Sequence, residues 1–299
     1  MRQHGLTRNG ELIILQRFHG GVRTNPARSG MEVLSVLFVD VETTGLLPGS
    51  DPIIELAAAL IDVDVASGEV IAHHRTVSWL EDPGRPIPPE IVRLTGIRDA
   101  DVRGLRIPDA EVRALFGAAQ LVVAHNARFD RAMCAARFAW LRSAEQPIWG
   151  CSFSQIDWRG YGHRHGDLES LGKDHGFFFD AHRATLDVEA LIKLLALRPD
   201  VRGAPTYLAE LIADSRRPYW QVAASGTPYE ARLELRARRY RWDPEFKHWY
   251  AELPEERLEL ELDWIRELCE RHGAGRPLAC ALPLAARFDA YFRPSWEPR

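Results

Sequence analysis

The stretch Val36-Leu37-Phe38-Val39-Asp40-Val41-Glu42-Thr43-Thr44-Gly45 places two carboxylates at the end of an apolar run. In a strand, residues two apart point to the same face, so Asp40 and Glu42 would be neighbours in space. Like charges that close raise one another's pKa unless a cation meets them. Ligation by carboxylate oxygens suits hard divalent ions such as Mg²⁺ or Mn²⁺. A strand end open to water would carry the same pair at little cost, so the pair alone decides nothing. Two later stretches add to it. His125-Asn126-Ala127-Arg128-Phe129-Asp130 follows the short apolar run Leu121-Val122-Val123-Ala124. Asn126 suits a helix N-cap, and Asp130 then stands one turn into the helix on the same side. In His182-Arg183-Ala184-Thr185-Leu186-Asp187 a histidine stands five residues before a carboxylate. The three stretches supply four carboxylates and one histidine. That set can hold two divalent ions and deprotonate a water between them.

These residues need elements to position them. Val33–Val41 is apolar and β-branched, and Ile53–Val65 and Glu69–Trp79 read as two more strands joined by a turn at Ser67-Gly68-Glu69. Pro89-Glu90 opens a short helix closed by Gly96. Further helices are expected after Pro108, from Asn126 to about Leu141, over Asp167–His175 and over Ala184–Leu197. Strands first, then strands alternating with helices, indicate an α/β domain with a mixed sheet. Residues 1–30 read as a poorly ordered extension, or as sequence upstream of a start at Met31. Residues 31–198 form the main domain and 199–217 a linker region. A small C-terminal module of uncertain role follows over 218–299. In it, Trp220, Tyr240, Trp242, Trp249 and Tyr250 are interleaved with Arg232, Arg236, Arg238, Arg239, Arg241 and Lys247. Rings and guanidinium groups in that mixture can stack on bases and track phosphates of single strands. The competing expectation is that Trp242 and Trp249 are the core of a mini-domain. The aromatic run Phe177-Phe178-Phe179 is expected to pack in the core of the main domain.

The length of 299 residues allows one sizeable domain and a smaller one. Hydrophobic content of 46% and charged content of 27% are ordinary for a globular protein. No apolar stretch approaches the ~18–20 residues that span a bilayer, and no secretory signal pattern opens the chain. A cytoplasmic location and no membrane partner are therefore expected. The four cysteines are scattered with no CxxC pair, which argues against a zinc knuckle. A net charge of −4 leaves room for a local basic patch.

In register, the three motifs resemble those of the DEDDh 3′–5′ exonucleases, the family of the proofreading epsilon subunit of bacterial DNA polymerase III. Asp40-Val41-Glu42-Thr43-Thr44-Gly45 is similar to the first motif, His125 through Asp130 to the second, and His182 through Asp187 to the third. Ile53-Ile54-Glu55-Leu56-Ala57 and the stretch from Pro89 to Ile97 also resemble family segments, so the likeness covers about residues 33–198. The resemblance implies a ribonuclease H-like fold: a mixed central sheet flanked by helices, with a small α+β module appended. It implies two divalent cations, Mg²⁺ or Mn²⁺, held by Asp40, Glu42, Asp130 and Asp187, with Asp40 bridging both. It implies His182 as the general base. It places Thr43 and Thr44 beside the terminal nucleotide, Leu46 against its base, and Asn126 near the substrate as the cap of the helix presenting Asp130. The implied reaction is release of nucleoside 5′-monophosphates from the 3′ ends of single-stranded or frayed DNA. An exoribonuclease and a non-catalytic nucleic-acid-binding protein are the alternatives. No glutamine-led clamp-binding peptide follows the motifs, so association with a polymerase stays open.

Overall fold

The computed structural model describes residues 3–6, 12–143 and 147–298. The chain divides into two units. Residues 1–215 with 288–290 form one, and residues 216–287 with 291–299 the other.

The first unit runs β1 (Gln3–Leu6), β2 (Leu12–Arg17), β3 (Val33–Thr43), β4 (Ile53–Asp64), β5 (Val70–Leu80), α1 (Pro89–Thr95), α2 (Asp99–Val102), α3 (Asp109–Ala118), β6 (Leu121–Ala124), α4 (Ala127–Arg137), β7 (Ile148–Cys151), α5 (Ser152–Gln155), α6 (Leu168–Asp174), β8 (Phe177–Phe178), α7 (Ala184–Leu195) and α8 (Tyr207–Ser215). Its main sheet has the order β5-β4-β3-β6-β7. The β5-β4-β3 part is antiparallel, while β6 and β7 are added in parallel, so the sheet is mixed as expected. Alternation along β3 builds two cores. Val36 and Phe38 face one, with Val188, Leu191 and Leu194 of α7 and Leu208 and Leu211 of α8. Leu37, Val39 and Val41 face the other, with Val112 and Phe116 of α3 and Met133 of α4. Burying each such side chain stabilises by about 1.5–3 kcal/mol, so the helices on both faces are rigid supports for the sheet's end. The mixed central sheet flanked by helices on both faces matches the architecture expected from the sequence.

Two boundaries differ from the sequence expectation. Within the supposed poorly ordered extension, β2 pairs in parallel with β8, and Phe18 is buried 6.0 Å from the ring of Phe177. Phe18, Val22 packed on the same core, the β2–β8 pairing and a bond from Gly21 N to Glu189 at 2.8 Å dock this segment, and no periodicity announces it. In the supposed linker, α8 packs Tyr207, Leu208 and Leu211 into the first unit. The Thr206 hydroxyl caps it by accepting from Ala209 N at 3.1 Å, and donates to Ser67 O at 2.7 Å. That contact also explains Gly68: its φ is +69°, and a Cβ there would stand 2.0 Å from Thr206 Oγ1. Phe177 and Phe179 are buried in the α7 core, as the sequence suggested.

The second unit runs β9 (Tyr219–Ser225), α9 (Arg232–Ala237), β10 (Arg241–Asp243), β11 (His248–Pro254), α10 (Leu258–His272), β12 (Arg276–Leu282) and β13 (Glu297–Pro298). Its antiparallel sheet, ordered β10-β11-β9-β12-β13, carries α10 on one face. The core is mostly aliphatic, built on Val222, Leu235, Leu253, Leu262 and Ile265 with Tyr240. Trp249 is half-buried at its margin and Trp242 is 49% exposed, so Trp242 is not core. The reason is register: Trp242 lies opposite Trp249 on β10, the edge strand, beyond the reach of α10. No helix among the described residues is long and apolar enough to cross a membrane.

Candidate active site

Asp40 and Glu42 continue the face of β3 that Val36 and Phe38 begin, one and two steps past the apolar layer. On α7, Asp187 stands four residues before Leu191 and seven before Leu194, hence on the same buried face. Helix and strand therefore bring three carboxylates together. Oxygens of Asp40, Glu42 and Asp187 lie within 4.8 Å of one another, all half-buried. Asp130, on the first turn of α4, is 4% exposed and accepts the backbone N–H of Val41. It is a fourth charge close enough to act on Asp40, though outside the trio of mutually close oxygens. A bulge between Glu42 and Thr43 ends the regular β3–β4 pairing here. Bulges of this kind re-aim side chains beside functional sites.

The carboxylates, His182, His125 and Asn126 line a cleft of 440 Å³. His182 is exposed and has a φ of +64°, the left-handed region. For a residue with a Cβ that conformation costs about 1–2 kcal/mol. It is held by Asp187, whose carboxylate accepts the N–H of Arg183 at 2.9 Å and that of His182. Asp187 thus both completes the acidic trio and sets the backbone of the histidine.

Burial holds all four carboxyls above their ordinary range, and repulsion adds to it at Asp40, Glu42 and Asp187. Burial acts first on Asp40, which is raised well above it, then Asp130, Asp187, Glu42 and Glu55 add repulsion. Glu42 is pushed up to about 8 by burial, then by Asp187, Glu55 and Asp130. Burial lifts Asp130 and Asp187 to about 7 each, against the N–H bonds that favour their ionised forms. Beneath them Glu55 is buried directly opposite Glu42 in the β3–β4 register. The Ser78 hydroxyl donates to its Oε1 at 2.5 Å, and its Oε2 has no hydrogen-bond partner among the described residues. This oxygen-only, charge-excess donor set fits a hard divalent cation, which would relieve the repulsion. A raised carboxyl pKa means that the folded state holds protons the unfolded state has released. Stability of the metal-free protein is therefore full below the ordinary carboxyl range (~4). It falls as pH rises through the raised values, up to about 8 for Glu42. Thermal melts in chelator from pH 5 to 8 should record this decline, and millimolar Mg²⁺ or Mn²⁺ should reverse it at pH 8. Melting points that rise with pH in chelator would contradict the electrostatic account.

The loop after β3 is tied down. Thr43 lines the cleft, and its hydroxyl donates to Gly45 O at 2.5 Å. Thr44, expected beside the substrate, does not line the cleft. It is buried, and its hydroxyl accepts from Arg85 at 2.8 Å, which also pairs with Asp51 at 2.8 Å. Its work is to anchor the loop. A Cβ on Gly45 would stand 2.4 Å from an Asp51 oxygen, so glycine is required by this close approach. The anchored loop leaves Leu46 77% exposed and lining the cleft. Asn126 holds the N-cap position of α4 and lines the cleft, but its side chain makes no capping bond. Its backbone, at φ −122° and ψ 66°, departs from the extended geometry that aims an N-cap side chain at the helix. Only its carbonyl serves the helix, accepting from Phe129 N at 2.8 Å.

The sequence reading did not single out Ile91 and Leu94 of α1 or Asp167 and Glu169, which also line the cleft. Spacing three apart marks Ile91 and Leu94 as one helix face, but nothing local says what that face meets. His125 is pushed down to about 4 by burial and shares a 2.7 Å hydrogen bond with Ser152 through Nδ1. Burial thus favours its neutral, hydrogen-bonding form.

The RNase_T exonuclease family model matches residues 37–195, more than half of the chain, and the match spans all four carboxylates and His182. The chain belongs to this exonuclease family. A PolC-type DNA polymerase III of Listeria welshimeri is 35% identical over 108 residues, 36% of this chain. The PolC-type polymerase of Streptococcus suis is 33% identical over 162 residues, 52% of the chain. A DNA polymerase III subunit epsilon-like protein of Rhodobacter capsulatus is 36% identical over 108 residues, 35% of the chain. The matched segments make up only 7%, 10% and 14% of those relatives' own lengths. Among solved structures, a zinc-bound complex of Escherichia coli exonuclease I with single-stranded DNA superposes with a TM-score of 0.50 at 18% identity. It covers 88% of this chain and 75% of that one, a likeness of fold.

Proposed function

We propose that this exonuclease-family chain removes nucleoside 5′-monophosphates from the 3′ ends of single-stranded or frayed DNA, using two divalent cations, Mg²⁺ or Mn²⁺. The observation that carries this reading is the trio Asp40, Glu42 and Asp187, with oxygens within 4.8 Å, in a cleft that also holds His182 and Asp130. Asp40, Glu42 and Asp187 would hold the cations, with Asp130 contributing directly or through water. The cations supply charge neutralisation at the attacking and leaving oxygens of an in-line displacement. The chain's own residues do the rest. His182, exposed at the cleft, accepts the proton of the attacking water. Thr43 borders the 3′-hydroxyl side of the terminal nucleotide, and Leu46 packs on its base. Ile91 and Leu94 widen that apolar wall. The names of the relatives, DNA polymerases, favour DNA over RNA.

The test is a time course on matched 5′-labelled single-stranded DNA and RNA, with Mg²⁺ or Mn²⁺ and with chelator, and Asp187→Ala as control. A metal-dependent ladder shortening from the 3′ end, faster on DNA and absent in the variant, is the expected result. Faster shortening of RNA would move the substrate to RNA ends, and no cleavage of either would overturn the reading.

A further inference from the structure

The second unit carries a strip of side chains that lies largely outside its core. Tyr229, Arg232, Leu233 and Arg236 fall at helical spacing on one face of the turn leading into α9 and of α9 itself. Tyr229 is 73% and Leu233 64% exposed. The Arg232 guanidinium lies 3.7 Å over the Tyr229 ring. Arg236 lies 5.6 Å over the ring of Trp249, which meets Trp242 edge-on at 5.7 Å. Trp242 stands half-exposed on β10, whose outer edge is unpaired among the described residues. The strip is continuous: a ring, a guanidinium, a second guanidinium, two rings.

Its charge is unbalanced. Among the described residues, Arg232, Arg236, Arg239 and Lys247 form no ion pair. Of the carboxylates on the neighbouring elements, Glu234 pairs with Arg271 at 2.6 Å and His272 at 2.9 Å, Glu261 with Arg238 at 2.7 Å, and Glu252 with Arg241 at 3.3 Å; Glu230 and Asp243 form no ion pair among the described residues and are outnumbered two to one by the four cations. Free cations alternating with exposed rings complement a chain of phosphates alternating with unstacked bases. An apolar protein surface would match the rings but leave the cations unmet.

We infer that Tyr229, Arg232, Arg236, Trp242 and Trp249 form a second contact surface for single-stranded nucleic acid, sequence-tolerant and separate from the acidic cleft. The inference rests on the proposed nuclease reading for the identity of the strand, but its test does not depend on turnover. The full chain is titrated in chelator against a fluorescent oligothymidylate of about 20 nucleotides. The same preparations are assayed with Mn²⁺ on a dinucleotide, short enough for the cleft alone. Trp242→Ala should weaken binding of the long strand by about 5- to 100-fold, the worth of one stacked base. Trp242→Phe should restore most of the affinity. Arg232→Gln with Arg236→Gln should lower the slope of log affinity against log salt by about 0.7 per charge removed. Dinucleotide hydrolysis should not change in any of them. Wild-type affinity and salt slope in the arginine double variant, with Trp242→Ala also unchanged where it folds, would overturn the inference. So would failure of the wild type to bind the long strand. Strand binding that depends on the strip in a protein that cleaves nothing would sink the nuclease reading and leave this surface standing.

Discussion

Asp40→Asn should remove measurable hydrolysis while making the metal-free protein more resistant to heat. Both effects come from one carboxylate. Asp40 is the member of the cluster on which Asp130, Asp187, Glu42 and Glu55 all press. Replacing it with the isosteric amide deletes four repulsions at once and keeps the shape of the strand end. Relief of about 1 kcal/mol would raise the melting point of a domain this size by about 2–4 °C, measured in chelator at pH 8, where the cluster is most ionised. In Mg²⁺ or Mn²⁺ the order should reverse, because the variant has lost a ligand and gains less from the ion. On the catalytic side, a lost metal ligand removes several kcal/mol of charge stabilisation, so hydrolysis should fall by about 10³-fold or more. A variant that melts lower than wild type in chelator would mean that Asp40 is held by favourable contacts and not by a cation it awaits. Retained activity would remove it from the site.

How much of this was legible in the sequence follows from which features are local. Alternation along Val33–Thr43 placed Asp40 and Glu42 on one face without any knowledge of partners, because the period of a strand is fixed by its backbone. The helix of Asp187 was legible from its apolar spacing, and the mixed sheet from the order of strands and helices. The convergence of these elements came through the family resemblance, since no spacing within a chain tells which helix crosses which strand. What was missed is non-local in the same sense. Phe18 looks like any aromatic in a polar segment until Phe177 is found beside it. The strand Ile148–Cys151 is four residues long with a glycine inside, too short for a pattern, and exists because β6 offers an edge. Thr44 belongs to a motif whose neighbours face the cleft, yet Arg85, 41 residues away, claims its hydroxyl. Trp242 and Trp249 look equivalent in the sequence, and only the register of an edge strand separates the exposed ring from the half-buried one.

His182→Asn should lower kcat by about 10²–10⁴-fold, the usual worth of a general base, while leaving strand affinity and the metal-induced rise in melting point intact. Asparagine is the informative replacement because of the backbone. His182 sits at φ +64°, a region that asparagine tolerates far better than alanine. An alanine variant would mix the loss of the imidazole with strain in the loop that Asp187 braces through two N–H bonds. The pair of variants separates the two. If the imidazole carries the proton, both lose rate alike. If the residue's contribution is its left-handed backbone, His182→Asn keeps the wild-type rate and His182→Ala loses it. The second pattern would move the base to another group lining the cleft. It would also reassign Asp187, whose bonds to Arg183 and His182 would then brace a loop with no proton to move.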